Sequence, residues 1–257
     1  MAAPEHLTYL GHATVLLEVE GYRLITDPVL RNGATFLRRL PGAAAAGSVT
    51  DVDVAVVSHL HHDHLDLPSL RSLRPGATVV VPLGAARWLR AKRVDHEVVE
   101  LAPGEQFRLG PLTVTATRAV HSGRREPFGP TALALGYLIE VGPALVYFAG
   151  DTDLFPGMGQ LTPPGLLDVA LLPVWGWGPN LGAGHLNPDR AAEAARLLGA
   201  TYSVPIHWGT LAPIGMHRLR MSRMVDPPHE FAAAVAAGGI DTKVLVAQPG
   251  ERVAFDA

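Results

Sequence analysis

The sequence predicts an α/β fold in which two mixed β-sheets pack face to face and helices cover both outer faces, giving four layers. The chain has 257 residues, enough for one large hydrophobic core. Short apolar runs of the length of buried strands recur along it, and a strand-rich stretch followed by alternating strands and helices occurs twice. Two sheets between helices bury the apolar faces of all these elements. We expect a single domain over residues 1–257.

The first half of the chain begins with strands. Thr14–Val19 is apolar and rich in β-branched residues, and Gly21 marks a turn to a hairpin partner at Tyr22–Thr26. Val29–Ser48 indicates a loop or short helical insert, and Asp53–Ser58 is a continuous apolar run typical of a strand covered on both faces. The elements predicted next are helices at Leu67–Leu73 and Gly84–Lys92, and strands at Thr78–Val81, His96–Leu101, Gln106–Leu109 and Leu112–Val120.

The second half repeats this order. Two strands are predicted around the turn at residues 142–143, and strands and helices then alternate to the end of the chain. The predicted strands are Ala132–Val141, Ala144–Phe148, Asp168–Leu172, Thr201–Ile206 and Lys243–Ala247, and the predicted helices are Pro188–Leu198 and Pro228–Ala237.

The composition excludes several classes of protein. The net charge of -3 gives no basic field that would attract nucleic acid or anionic lipid. Without cysteine there are no disulfides, zinc fingers or thiol chemistry, so any metal must have nitrogen and oxygen ligands. No signal peptide or membrane-spanning apolar run is visible. We expect a cytoplasmic protein with a small-molecule substrate and no nucleic-acid partner; a homo-oligomer is compatible with the sequence.

A histidine-rich segment follows the predicted strand Asp53–Ser58. It reads His-Leu-His-His-Asp-His from residue 59 to residue 64. In an extended chain, residues two apart point to the same side, so His59 and His61 can bind one ion. Asp63 and His64 follow after the chain has begun to turn and can face a second ion. Ions in two-metal sites lie roughly 3.5–4 Å apart and can share a bridging hydroxide. The pattern favours a two-metal site over a histidine-rich surface loop.

Three more candidate ligands follow predicted strands. His121, Asp151 and His207 each come directly or shortly after one. Loops at strand ends hold functional side chains on a rigid scaffold. Each residue taken alone is more often structural than a ligand, but the three together would complete a set of seven.

The order of these motifs identifies a family. Besides the segment 59–64, the chain carries Leu10–Val15, Thr26–Val29, Ala149–Thr152, His185 with Asn187 and Pro188, and Ile206–Thr210. With these motifs the chain resembles the metallo-β-lactamase superfamily, in the branch of ascorbate-6-phosphate lactonase and the N-acylphosphatidylethanolamine-hydrolysing phospholipase D. The resemblance runs from Leu10 to about Thr210 and implies the four-layer αββα sandwich.

The resemblance also implies a role for each candidate ligand. His59, His61 and His121 would hold the first metal, Asp63, His64 and His207 the second, and Asp151 would bridge both. Asp27 would lie beneath the site and fix a ligand loop, or it is a turn residue before Pro28. His62 occupies a variable position of the motif, and Asp66 fits a helix N-cap better than a ligand.

Catalysis would then use a metal-bridging hydroxide as the nucleophile. The cofactor is expected to be two Zn²⁺ ions, with Mn²⁺ or Fe²⁺ as alternatives. Asp63 would orient the hydroxide or accept its proton, and His185 would contact the developing oxyanion or protonate the leaving group, unless it is a helix-capping residue. His12 is either a second pocket residue or a buried residue that ties a strand turn.

The substrate is less defined. Phe36, Leu37, Trp175, Trp177 and the segment Leu211–Met224 are expected to form the pocket wall. In that segment, Arg218 and Arg220 can bind a phosphate or be solvated surface charges. We expect a hydrolase of a small ester, lactone or phosphodiester. A redox di-iron protein and a non-catalytic metal-binding protein on the same fold are the alternatives.

Overall fold

The computed structural model of the protein describes residues 5–40, 49–178, 180–216 and 222–255. Its strands, in chain order, are β1 (His6–Gly11), β2 (Thr14–Val19), β3 (Tyr22–Thr26), β4 (Leu37–Arg39), β5 (Val54–Val56), β6 (Thr78–Pro82), β7 (Glu97–Leu101), β8 (Gln106–Leu109), β9 (Leu112–Arg118), β10 (Leu135–Val141), β11 (Ala144–Phe148), β12 (Val169–Pro173), β13 (Tyr202–Ile206), β14 (Leu211–Pro213), β15 (Lys243–Val244) and β16 (Glu251–Ala254). Its α-helices are α1 (Leu67–Arg71), α2 (Ala86–Ala91), α3 (Pro188–Leu198), α4 (Ser222–Val225) and α5 (Pro227–Ala237), with a 3₁₀ helix at Met158–Gln160.

Two seven-stranded mixed sheets are built in the same way. The first has the order β16-β1-β2-β3-β5-β6-β7 and the second the order β15-β13-β12-β11-β10-β9-β8. In each, strands close in sequence pair antiparallel, and the chain then adds parallel strands through longer connections. The prediction of two mixed sheets is confirmed.

Successive side chains of a strand point to opposite faces of the sheet, and the two faces of the first sheet belong to two different hydrophobic cores. In β2, Val15 and Leu17 face the core between the sheets, whereas Leu16 faces the core beneath helices α1 and α2. In β5, Val54 and Val56 face the core between the sheets and Ala55 faces the helices. Helices α3 and α5 cover the other sheet against β12 and β13. The four-layer αββα order is therefore confirmed.

Helix α3 of this outer layer begins and ends at residues that favour those positions. The Asn187 side chain accepts a hydrogen bond from the Arg190 backbone N–H at the start of the helix, and Pro188 occupies the first turn. Gly199 ends the helix at a φ of 59°, a left-handed conformation that favours glycine. The buried face consists mainly of alanines, so the helix can approach the sheet closely.

The structure differs from the prediction at both ends and in one insert. His6–Gly11 and Glu251–Ala254 were not predicted as strands, yet they pair with each other at the edge of the first sheet. Within Val29–Ser48, where a loop or helical insert was expected, Leu37–Arg39 forms a strand with Leu211–Pro213; residues 41–48 lie outside the described residues. These short pairings depend on distant partners, which local patterns do not reveal.

Several hydrogen bonds join the two sheets near the end where the candidate site lies. The Tyr137 hydroxyl donates to the Val57 carbonyl at 2.8 Å. The Leu135 N–H donates to the Ser58 carbonyl at 2.9 Å, and the His207 N–H donates to the His12 carbonyl at 2.7 Å. These contacts fix the spacing between the strand ends of the two sheets. Among the described residues, no helix combines the length and the apolar composition that a membrane span requires.

Candidate metal centre

Side chains from four strand ends of the two sheets meet at one point. The histidine-rich segment follows β5 in the first sheet, and the other contributors follow β9, β11 and β13 in the second. Five of these side chains are buried, and those of His61 and His121 are partly buried. The structure brings together all seven candidate ligands predicted from the sequence, namely His59, His61, Asp63, His64, His121, Asp151 and His207.

The first group consists of three histidines whose ring nitrogens face one another. His61 Nδ1 lies 2.9 Å from His59 Nε2 and 3.2 Å from His121 Nε2. The outer nitrogens of the two partners have other contacts. His121 Nδ1 donates to the Gly184 carbonyl at 2.9 Å, and His59 Nδ1 lies 3.0 Å from Ser58 Oγ. The Nε2 atoms of His59 and His121 therefore direct lone pairs, not hydrogens, at His61.

Gly184 makes the contact with His121 possible. Its φ is +82°, and a Cβ atom added there would lie only 2.9 Å from the Val120 carbonyl oxygen and 3.1 Å from His121 Nδ1. A side chain at this position would push the loop away from His121, so the glycine allows the backbone to approach the site.

The second group is formed by two histidines and an aspartate. His64 Nε2 lies 3.1 Å from His207 Nε2, and Asp63 Oδ2 lies 3.7 Å and 3.8 Å from these two nitrogens. His207 Nδ1 donates to the Trp175 carbonyl at 2.5 Å, and His64 Nδ1 contacts Asp27 Oδ2 at 2.6 Å. Their Nε2 atoms thus face each other as well. Burial opposes a charge on His64, but the carboxylates of Asp151, Asp63 and Asp27 raise its pKa well above 6.5, so without a cation His64 Nε2–H donates to His207.

Asp151 lies between the two groups. Its Oδ1 is 3.2 Å from His207 Nε2, and its Oδ2 is 3.3 Å from His64 Nε2 and 3.9 Å from His121 Nε2. Oδ1 is buried and has no hydrogen-bond partner among the described residues. A buried carboxylate oxygen without a donor is costly unless a cation compensates its charge.

This donor set fits divalent cations. Burial lowers the pKa of His61 to about 4 and holds those of His59 and His207 well below 6.5, so all three rings are neutral at pH 7. Neutral imidazole nitrogens that converge beside the Asp151 carboxylate form a donor set that a divalent cation can bind. Nitrogen and carboxylate donors suit Zn²⁺ and also accept Mn²⁺ or Fe²⁺.

Asp27 lies directly beneath the second group. Its two oxygens accept hydrogen bonds from the Ser58 N–H and the Ser58 hydroxyl, both at 2.6 Å, and Oδ2 also accepts one from His64. It therefore positions His64 directly and His59 through Ser58. A φ of 34° places Asp27 in the left-handed region, as do the φ values of 58° at His12 and 65° at His207. Such backbone strain accumulates where the surrounding structure holds functional residues in place.

Two residues hold Asp63 in a way that the sequence did not reveal. Asp63 Oδ2 accepts a hydrogen bond from His12 Nε2 at 3.0 Å and another from Trp177 Nε1 at 2.9 Å. His12 is buried against the His207 ring at a centroid distance of 3.9 Å. His12 therefore contacts a candidate ligand in addition to occupying a strand turn, and Trp177 is more than a wall residue. Both contacts join residues far apart in the chain.

Arg125 is a third residue whose role the sequence does not indicate. Its buried guanidinium donates to the carbonyls of Leu60 and Leu65 at 2.8 Å and 3.0 Å, and to His62 Nδ1 at 2.9 Å. Burial lowers its pKa to about 10, so it remains charged at neutral pH. One side chain thereby links both ends of the loop that carries His61, Asp63 and His64. Only its place shortly after His121 could have indicated this role.

Replacing Arg125 with methionine should destabilise the protein by about 2–4 kcal/mol, because two buried carbonyls lose their donors. Urea unfolding of the metal-free protein measures this change. Arg124→Met is the matched control, since Arg124 is an exposed residue paired with Glu126, and it should change the free energy of unfolding by less than about 0.5 kcal/mol. Similar small losses in both variants would show that Arg125 does not support the loop.

A pocket opens above the two groups. Its wall includes Phe36, Leu37, Trp177 and Leu181, and its floor includes His61, Asp63, Asp151 and His207. Phe36 meets the Trp177 ring edge-on at 5.3 Å. His185 lies at the rim, with Nε2 at 3.4 Å from Asp151 Oδ2 and Nδ1 at 3.1 Å from the Gly182 carbonyl.

The remaining wall predictions have different outcomes. Trp175 was expected in the wall, but its side chain packs in the core, with the residue only 8% exposed, and its indole donates to the Gly178 carbonyl. It contributes through its backbone carbonyl, which fixes His207. Arg218 and Arg220 lie outside the described residues. Asp66 caps α1 by accepting a hydrogen bond from the Ser69 N–H, as predicted.

Comparison with known proteins gives the family. A family profile described as "Beta-lactamase superfamily domain" matches residues 22–208. The chain belongs to the metallo-β-lactamase superfamily. It is a metal-dependent hydrolase of this superfamily, and the match covers strands β3 to β13 and all seven candidate ligands.

Two proteins are similar to the chain in sequence, and a solved structure is similar to it in fold. The N-acyl-phosphatidylethanolamine-hydrolyzing phospholipase D 1 of Caenorhabditis elegans is 34% identical over 81% of the chain, which spans 64% of that protein's length. A UPF0173 metal-dependent hydrolase of Methanopyrus kandleri is 32% identical and matches 95% of the chain and 97% of its own length. The structure of a metallo hydrolase from Ignicoccus hospitalis is similar at a TM-score of 0.75, with 26% identity and 98% of both chains covered.

Proposed function

We propose that the protein is a dinuclear metal-dependent hydrolase that cleaves a small phosphodiester, ester or lactone. The observation that carries this proposal is the pair of groups whose ring nitrogens converge at 2.9–3.2 Å, with the Asp151 carboxylate between them. The phospholipase D relative favours a phosphodiester among the three bonds. The cytoplasmic location and the single-domain organisation expected from the sequence stay predictions.

The residues fit the assignment of two divalent cations made from the sequence. His59, His61 and His121 would hold one, Asp63, His64 and His207 the other, and Asp151 would contact both. When bound, such cations make water a nucleophile near neutral pH and draw charge from the attacked oxygen. Zn²⁺ is our first choice and Mn²⁺ the main alternative.

The protein's own side chains orient the reaction. Asp63 is held at Oδ2 by two donors, so its carboxylate keeps a fixed direction beside the pocket floor and can accept a proton from water there. The aromatic wall of Phe36 and Trp177 would hold an apolar part of the substrate and exclude water from one side.

His185 is placed to donate a proton at the pocket rim. Burial alone would lower its pKa, but the hydrogen bond to Asp151 raises it above 6.5. Its Nδ1 donates to the Gly182 carbonyl, so the Nε2 proton of the charged ring points towards the pocket floor. A protonated imidazole there can transfer a proton to a departing alkoxide. Its contacts favour this role over helix capping, which Asn187 performs.

Metal content and activity test the proposal together. Purified protein should contain two metal equivalents, and a chelator should abolish hydrolysis of bis(p-nitrophenyl) phosphate. Zn²⁺ or Mn²⁺ added back should restore it. Because a ligand that binds only the folded state stabilises it, removal of the metal should also lower the melting temperature. Two bound metals without turnover of this diester or of a panel of esters and lactones would favour a non-catalytic metal-binding protein.

A further inference from the structure

Trp177 contacts both the candidate metal site and the pocket. Its indole N–H donates to Asp63 Oδ2 at 2.9 Å, and its ring forms the pocket wall opposite the edge of Phe36. The side chain is half-buried, so one part of the ring remains available to the pocket. A single residue thus joins the surface that would meet a substrate to a carboxylate of the site.

The hydrogen bond from Trp177 is one half of a clamp on Asp63. The other half comes from His12 Nε2, which donates to the same oxygen at 3.0 Å from the turn between β1 and β2. The two donors come from different sheets, since Trp177 follows β12. Two donors on one oxygen constrain its position more tightly than one donor would. In this position Oδ2 lies 3.7 Å from His64 Nε2 and 3.8 Å from His207 Nε2.

We propose that Trp177 is a positioning residue, whose indole N–H sets the orientation of Asp63 while its ring forms the substrate wall. Residues that hold a metal ligand by hydrogen bonds typically contribute about 10–100-fold to metal affinity. The inference rests on the proposed function, because it assigns Asp63 to the second metal. It adds that the wall of the pocket and the geometry of that metal are set by the same side chain.

Zn²⁺ titration against a chromophoric chelator tests the donor role. Trp177→Phe keeps an aromatic wall but removes the N–H, so one of the two metal equivalents should bind about 10–100-fold more weakly and the other should not change. Phe36→Leu is the matched control. It alters the same wall without any contact to Asp63, so Zn²⁺ affinity should stay at the wild-type value. For the diester, Phe36→Leu should mainly raise KM, and Trp177→Phe should mainly lower kcat.

The indole proton gives a second readout, which does not depend on activity. In ¹⁵N-labelled protein, the Trp177 indole signal should shift when Zn²⁺ alone is added. The Trp88 indole, which belongs to helix α2 on the outer face of the first sheet, should not shift. This measurement uses the unaltered chain with assigned signals, so it remains decisive if Trp177→Phe does not fold.

The outcomes separate this inference from the proposed function. The role of Trp177 is overturned if Trp177→Phe binds Zn²⁺ with wild-type affinity. It is also overturned if the Trp177 indole signal does not shift while two equivalents of Zn²⁺ bind. Either result leaves the hydrolase proposal intact. Failure of the unaltered protein to bind two equivalents overturns both.

Discussion

Replacing His61 with alanine should reduce metal-dependent hydrolysis by at least about 1,000-fold, because loss of Lewis-acid catalysis removes several kcal/mol of transition-state stabilisation. His61 Nδ1 is the central atom of the first group, at 2.9 Å and 3.2 Å from its two partners. Without it, only His59 and His121 remain as candidate ligands of the first metal. Initial rates on bis(p-nitrophenyl) phosphate at saturating Zn²⁺, together with metal content, measure the effect.

His62→Ala is the matched control for this experiment. His62 is the next residue and has the same chemistry, but its nitrogens contact Arg125 and the Glu126 carbonyl instead of the candidate ligands. We expect it to keep two metal equivalents and most of its activity. An equal loss in both variants would mean that the segment acts as a structural loop, and that the assignment of alternate histidines to the metal is wrong.

Replacing Asp27 with asparagine should lower affinity for the second metal by about 10–100-fold, although Asp27 itself is not a candidate ligand. The carboxylate accepts all of its hydrogen bonds from Ser58 and His64. An asparagine amide presents N–H groups to one of these donors. His64 can accommodate this only by moving its proton to Nε2, and that removes the lone pair facing His207. Zn²⁺ titration detects the loss.

Asp66→Asn provides a closely matched comparison. Asp66 is also buried and also accepts from a serine N–H and hydroxyl, those of Ser69, but its other partner is Arg31. It should change stability slightly and leave Zn²⁺ affinity unaltered. If both variants lost metal to the same extent, general weakening of the loop would explain the result better than the tautomer of His64.

The sequence was sufficient to predict the candidate ligands because they follow strands that local patterns reveal. The apolar run at 53–58 and the strands before His121, Asp151 and His207 were recognisable from their composition, and the ends of neighbouring strands meet at one edge of a fold with this layering. The αββα order followed from the same strands. The motif at 59–64 was also dense enough to indicate a metal site by itself.

The supporting contacts could not be predicted, because they depend on tertiary register. His12 and Trp177 are 165 residues apart in the sequence. They converge on Asp63 only after both sheets have formed. Arg125 reaches the carbonyls of Leu60 and Leu65 from a loop with no recognisable motif. Trp175 was placed in the wall by its aromatic character, yet the backbone turns its ring into the core.

The bonds that cross between the sheets near His12, Ser58 and Val57 have a consequence beyond the site. Each group of donors draws atoms from both sheets, so a bound cation would act as a cross-link between two halves that otherwise meet through apolar contacts and a few hydrogen bonds. Linkage then requires that whatever loosens the packing of Tyr137 also weakens metal retention, and that metal loss loosens the packing in return. Distant core substitutions should therefore influence how tightly the protein keeps its metals.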